Sequence, residues 1–319
     1  MNEHDRPVRG FDAALVVVPS APLAVDAPGD EARAYVEAKG GFSKATLRAY
    51  ETDWRLFTEW AASRGLRTLP ADPGAVADYL VHLSREGLKV SSIRRVLSGL
   101  AFAHRRAGLD WFTPREVRVA LRAIRRDLGT APQRKRAVTD VELRAMLGHL
   151  ELRDRAMLLV GWAAALRRSE VVALDVEDTE LAEQGLLLTI RRSKTDQEGA
   201  GQRVGVCFAS ERAYCPVRTL QEHLSVAEIA SGALFRNERG ERLNSRTVAR
   251  VVQRAARNAG LGEGFAGHSL RAGLATTAAQ KGVSEDAIQR QGRWTNTAQV
   301  REYYRFATLF TNNATKGLL

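Results

Sequence analysis

Cysteine is scarce in this chain, and its two copies, Cys207 and Cys215, cannot build a metal cage alone; none of the six histidines forms a ligand-spaced pair near them. Both read as ordinary buried or half-buried thiols. Also missing is any uninterrupted apolar run near the roughly 20 residues that a membrane span needs. The most apolar early stretch, "AALVVVPSAPLAV", follows Glu3 and Asp5 and is broken by Pro19 and Pro22. It is not read as a signal peptide, and the chain is expected to stay in the cytoplasm. There is no Walker A stretch, no acidic metal-binding cluster and no repeat of fixed period.

Positive charge is what the chain has in excess. Over 319 residues Lys and Arg number 48 against 37 Asp and Glu, a net charge of +11, and the pI is near 10.1. A balance of 45% hydrophobic to 27% charged residues is that of a globular protein rather than a disordered one. The length suits two ordinary domains. The charge points towards a polyanion, and the placement of the arginines decides whether that is meaningful.

Residues 1–38, rich in Ala, Pro, Val and Asp, read as a flexible extension with a short helix around Glu31–Glu37. Residues 39–128 read as a helical unit. In "KATLRAYETDWRLFTEW" the residues Leu47, Tyr50, Trp54, Phe57 and Ala61 form one apolar stripe, and Val76, Tyr79, Leu80 and Leu83 form another in the next helix. In "SSIRRVLSGLAFAHRRAG" Ile93, Val96, Leu97 and Leu100 share a face, with Arg94, Arg95, Arg105 and Arg106 opposite and Phe102 among the arginines. A fourth helix opens at "TPRE", with Thr113 as cap and Glu116 closing a capping box. It sets Arg115, Arg118, Arg122, Arg125 and Arg126 opposite Val117, Leu121, Ile124 and Leu128. Solvated faces usually mix acids with bases, whereas these two are nearly acid-free, as phosphate-binding faces are.

A basic linker, residues 129–138, carries Arg134, Lys135 and Arg136. A second unit, residues 139–319, starts at the capping box Thr139–Glu142. In it "GLLLTI" and "QRVGVCF" read as strands around the polar loop "RRSKTDQEGAG", and helices resume at "NSRTVARVVQRAARNAG". The fold class is thus multidomain and mainly α: a helical N-terminal unit suited to binding DNA or RNA, then a mostly helical α+β unit with a small antiparallel sheet.

Four clusters could carry chemistry. Glu170 stands one helical turn after Arg167 and can hold its guanidinium. His268 and Arg271 in "GHSLR" are again one turn apart, a pair suited to an anionic oxygen. Lys194, in the hairpin loop, can protonate a departing alkoxide if it reaches a cleft. In "GRWTNTAQVREYYR" Trp294 precedes the adjacent Tyr303 and Tyr304; a phenol titrates near ~10 and needs cationic neighbours to attack at neutral pH.

The order "ALRRSE", "SKT", "HSLR", "GRWTN" and then a tyrosine nine residues after the tryptophan resembles the tyrosine recombinase (phage integrase) family, most closely its Cre recombinase branch. The resemblance runs from about Phe42 to Tyr304 and includes "DYLVHLSREGLKVSSIRR" and "FAHRRAGL". It implies Arg167 and Arg271 as the two catalytic arginines, with Lys194, His268 and Trp294 beside them and Glu170 in support of Arg167. The nine-residue step falls on Tyr303 as nucleophile. The doubled Arg167–Arg168 and Tyr303–Tyr304 each leave a second register open, and Ala165 stands where many members have glycine.

The resemblance further implies a site-specific DNA recombinase that cleaves and rejoins strands through a covalent 3′-phosphotyrosyl link without metal or ATP. Its partners would be double-stranded DNA with paired inverted-repeat sites and three further copies of the chain, at the nucleoid, with Leu309, Phe310, Leu318 and Leu319 docking on a neighbouring copy. Two other readings share parts of the pattern: a type IB topoisomerase, and a non-catalytic DNA-binding protein on the same fold.

Overall fold

The protein is described from a computed structural model, in which residues 42–111, 113–129, 135–191, 201–309 and 313–315 are described. The expected helix near Glu31–Glu37, Arg134, Lys194, and Phe310, Leu318 and Leu319 lie outside them. The chain forms two compact units that divide between residues 132 and 133.

The first unit has four helices: α1 (Lys44–Ala62), α2 (Pro73–Arg85), α3 (Val90–Arg106) and α4 (Arg115–Leu128). Side-chain caps fix two of the starts: Ser43 accepts from the Thr46 amide, and Asp72 from the amides of Gly74 and Ala75. The apolar stripes close on each other as α1 packs on α3 and α2 on α4, burying Phe57, Val76, Leu80, Ile93, Leu100 and Val117. Each such side chain contributes about 1.5–3 kcal/mol.

Three details differ from the sequence expectation. The box at Thr113 does not form; Pro114 is the N-cap, with no side-chain bond, because proline takes the cap position and pushes Thr113 out of the helical frame. Phe102 does not stand among the arginines but packs edge-on to Phe42 and against Tyr50, with ring centroids 5.4 Å away in both cases. Leu128, last in its helix, is exposed.

The second unit contains α5 (Asp140–Leu147), α6 (Leu152–Ala163), α7 (Arg168–Ala173), β1 (Thr179–Ala182), β2 (Gly185–Ile190), β3 (Gln202–Cys207), α8 (Pro216–Val226), α9 (Ser245–Asn258), α10 (Ser269–Gln280), α11 (Glu285–Gly292) and α12 (Thr297–Ala307). Glu142 caps α5 by reaching back to the Thr139 amide at 2.8 Å. Helix α6 is buried continuously from Ala156 to Gly161, as befits a helix apolar on all sides.

The strands form an antiparallel sheet in the order β1–β2–β3, with Leu188 opposite Thr179 on one side and Val204 on the other. The sequence reading missed β1, whose "TELA" is short and mostly exposed. In β3, Val204 and Val206 face inward, so strand alternation turns Cys207 outward; it is exposed, whereas Cys215 is buried. Among the described residues no helix is long and apolar enough to cross a membrane.

His104 ties α3 to the segment that leads into α2. It is buried, its Nδ1 faces the Leu100 carbonyl at 2.8 Å, and its Nε2 accepts the Ala71 amide at 2.9 Å. A ring that accepts there is neutral, and burial pushes its pKa below the ordinary imidazole value. The unfolded chain then binds the proton more readily. Its contribution to stability is complete above the unfolded value of ~6.5 and is lost as pH falls through the lower folded one. Tryptophan-monitored denaturation should show stability falling from pH 7.5 to 5.5. In His104→Leu, stability at pH 7.5 should fall by about 1–3 kcal/mol, because the Ala71 amide is orphaned, and the acid slope should flatten.

Candidate active site

The site lies in the second unit, around the turn that ends α6. Ala165 follows that helix in a left-handed conformation, φ 48°, which reverses the chain so that Arg167 becomes the N-cap of α7. Three consecutive carbonyls of the turn then face side chains from far along the sequence. Gln291 Nε2 donates to Ala163 O at 2.8 Å, Arg293 Nη1 to Ala164 O at 3.1 Å, and Arg271 Nη1 to Ala165 O at 2.6 Å. A glycine would adopt such a φ without a side-chain clash, so Ala165 bears a local strain.

Glu170, buried in the first turn of α7, is the carboxylate that pairs with these cations among the described residues. Its Oε1 accepts from Arg167 Nη1 at 2.5 Å, and its Oε2 from the Arg167 amide at 2.9 Å and Arg293 Nη2 at 2.8 Å. The pairing expected of Arg167 and Glu170 is therefore present. Arg168 points elsewhere: it is exposed and its side chain packs beside Gly267.

Arg271, 1% exposed, comes from the first turn of α10, whose N-cap is His268. Its guanidinium stacks on Trp294 with 4.1 Å from Cζ to the ring centroid, and the Trp294 and Tyr303 rings lie 5.9 Å apart. Trp294 is buried, and a Cβ on Gly292 would stand 1.6 Å from its Cζ3, so only glycine leaves room for the indole. Tyr303 and Tyr304 are half-buried on α12, which packs along α10. Both border the small cluster of Ala275, Ala279, Ile288, Trp294 and Val300.

Burial pushes the Arg271 pKa down to about 9, with repulsion from Arg167 and Arg293 adding to the fall and Glu170 and Tyr303 opposing it; the group remains charged at neutral pH. Arg293 is also lowered, first by burial, against the pull of Glu170. His268 keeps solvent access, yet the surrounding protein, then Arg271 and Arg167, lower its pKa. One nitrogen of Arg271, Nη2, is buried and has no hydrogen-bond partner among the described residues. Three guanidinium groups around one carboxylate, beside the positive end of α10, make a site that favours an anion.

Arg293 was missed in the sequence. It is buried, in a left-handed conformation (φ 55°, ψ 43°) that ends α11, and its carboxylate partner is 123 residues away, so no local spacing could reveal it. A second omission had a legible signal: Arg246, Arg250, Gln253 and Arg257 recur at helical spacing on the exposed face of α9, opposite Val248, Val252 and Ala255.

The basic residues of the first unit and linker fall into two groups. Arg94, Arg105, Arg106, Arg115 and Arg122 are exposed and make no ion pair among the described residues, and Lys135 is exposed too. Arg95 instead pairs with the buried Asp53 at 2.6 Å, and Arg118 donates to the Thr113 carbonyl at 2.6 Å. Arg136 donates to Leu261 O and to Glu142, at 2.7 and 2.9 Å, and lies over the Phe265 ring.

Comparison with known proteins agrees with this architecture. The family model described as Phage integrase family matches residues 136–308, and that described as Phage integrase, N-terminal SAM-like domain, matches residues 33–105. An integrase/recombinase xerD homolog of Selenomonas ruminantium is 34% identical over 287 residues, 84% of each chain. Recombinase cre of Escherichia phage P1 is 28% identical, over 89% of this chain and 91% of its own. In fold the chain is similar to a lambda integrase dimer bound to a COC′ core site, with a TM-score of 0.62 at 20% identity over 86% of this chain and 75% of that one. It is also similar to XerH site-specific recombinase in a post-cleavage complex with palindromic difH substrate, with a TM-score of 0.60 at 19% identity over 77% of this chain and 72% of that one.

The left-handed turn yields a test. Ala165→Gly exchanges relief of strain for a lost buried methyl and a freer unfolded chain, so thermal denaturation should place it within about 1 kcal/mol of the parent. Ala165→Val, branched where φ is positive, should lose more than about 2 kcal/mol.

Proposed function

Since the chain belongs to the phage integrase family and is a tyrosine site-specific recombinase, we propose that Tyr303 is its nucleophile and a DNA phosphodiester its target. The observation that carries this reading is the stack in which Tyr303 borders Trp294 and Trp294 carries the Arg271 guanidinium, with Arg167 held beside it by Glu170. The phenolic oxygen attacks phosphorus in line. The bond to the 5′-oxygen breaks, leaving a 3′-phosphotyrosyl link and a free 5′-hydroxyl. The ester energy stays in the protein–DNA link and is returned when another 5′-hydroxyl attacks.

Arg167 and Arg271 would bind the non-bridging oxygens, whose negative charge rises in the pentacoordinate transition state. A guanidinium stays charged and can meet two oxygens at once, and donors placed where charge develops contribute about 3–4 kcal/mol each. The unpartnered Nη2 of Arg271 supports this role. His268, its lowered pKa favouring the neutral ring at pH 7, would take the phenolic proton. Trp294 would contact the same phosphoryl group, and Lys194 would protonate the leaving oxygen.

Arg94, Arg105, Arg106, Arg115 and Arg122 would sit on the phosphates of duplex DNA, with Lys135 tracking the backbone. Four copies would act together on paired inverted-repeat sites, in the cytoplasm at the nucleoid.

The target can be selected from a random-sequence duplex pool retained by the protein, then rebuilt with a nick beside the cleavage point. The protein should form a covalent adduct with that duplex; Tyr303→Phe should abolish the adduct and Tyr304→Phe preserve it, and the reverse pattern moves the nucleophile to Tyr304. In the same duplex, affinity measured against salt should lose about 0.9 of logarithmic slope for each phosphate contact removed. Arg105→Ala with Arg106→Ala should therefore lower the slope by close to two such steps, and an unchanged slope would remove both from the contact set.

A further inference from the structure

Arg293 is a costly residue where it stands. The end of α11 turns left-handed there, a conformation that glycine adopts freely and a branched or long side chain does not. Its guanidinium is almost fully buried, only 4% of the side chain being exposed. Its Nε has no hydrogen-bond partner among the described residues, and burial lowers its pKa. Closing a helix requires none of this.

What the arginine provides is a further, side-chain hold on Glu170. The Arg167 guanidinium takes one carboxylate oxygen, and Arg293 shares the other with the Arg167 amide, which fixes the carboxylate and so the direction in which it presents Arg167. The same guanidinium donates to the carbonyls of Ala164 and Gln291. One side chain thus joins the turn before Arg167 to the segment that leads into Trp294 and α12. Charge matters as well: a carboxylate shared between two guanidinium groups neutralises Arg167 less than one held by Arg167 alone, leaving more positive potential for an incoming phosphate.

We infer that Arg293 is a positioning residue for strand cleavage, acting through Glu170 to orient Arg167 and to keep its charge available. The inference rests on the reading of this site as the place of DNA cleavage, and deepens it.

The test is single-turnover adduct formation on the nicked duplex described above, with duplex affinity and melting temperature measured in parallel. Arg293→Gly, which suits the left-handed backbone, should fold and bind the duplex within about twofold of the parent while forming adduct about tenfold or more slowly. Arg293→Lys should recover part of the rate. In a Glu170→Gln background the further change Arg293→Gly should cost less than about twofold, as coupled residues do.

A parental rate in Arg293→Gly would overturn the inference. So would an equal loss in both backgrounds, the result expected of a purely structural plug. Should Arg293→Gly fail to fold, Arg293→Lys decides: slower cleavage at unchanged affinity supports the role, and the parental rate overturns it. Adduct that survives Tyr303→Phe would revise the nucleophile and leave the Arg293 comparison intact, since that is read as a ratio to the parental rate.

Discussion

Glu170 is a buried carboxylate gripped from both sides, by Arg167 from its own helix turn and by Arg293 from more than a hundred residues further on. A charge so enclosed must be paired; stripping one partner from a buried ion pair costs about 3–5 kcal/mol. The pairing therefore obliges the α6–α7 turn and the end of α11 to meet. The hydrogen bonds from Gln291, Arg293 and Arg271 to the carbonyls of Ala163, Ala164 and Ala165 occupy the same junction. Arg167, Arg271, Trp294 and Tyr303 inherit their relative positions from it.

The cations gathered there exceed the acids, and their own pKa values register the excess. Arg271 and Arg293 are pushed down first by burial and then by neighbouring guanidinium groups, Arg167 in both cases, and Glu170 offsets only part of this. A folded protein tolerates such crowding where an anion is due to arrive, because the arriving charge relieves the repulsion. The stack of Arg271 on Trp294 serves the same end from the other face: an aromatic ring stabilises a buried guanidinium without neutralising it.

Much of this could be read along the chain. The helices of the first unit followed from apolar steps of three and four, β2 and β3 from short apolar runs around a polar loop, and Arg167 with Glu170 and His268 with Arg271 from single-turn spacing. Arginines were harder to sort. Arg95 and Arg136 sit in the same basic runs as Arg94 and Lys135, yet Arg95 compensates the buried Asp53, and Arg136 is engaged by Glu142, a carbonyl and the Phe265 ring. Periodicity assigns a residue to a face of its own helix; it does not say whether an acid on another element stands opposite.

The sequence by itself determined which segments become helices and strands, that the chain divides into a basic helical unit and a mixed one, and which residue types wait in which order, because those properties depend on neighbours one to four positions away. Only the tertiary structure decided that Arg293 shares Glu170 with Arg167, that Phe102 turns to Phe42 and Tyr50, and that Tyr303 comes to border Trp294 and the guanidinium stacked on it. Each of those is a contact between distant segments. Its geometry is set by how whole helices pack, and packing leaves no periodic trace in the residues that meet.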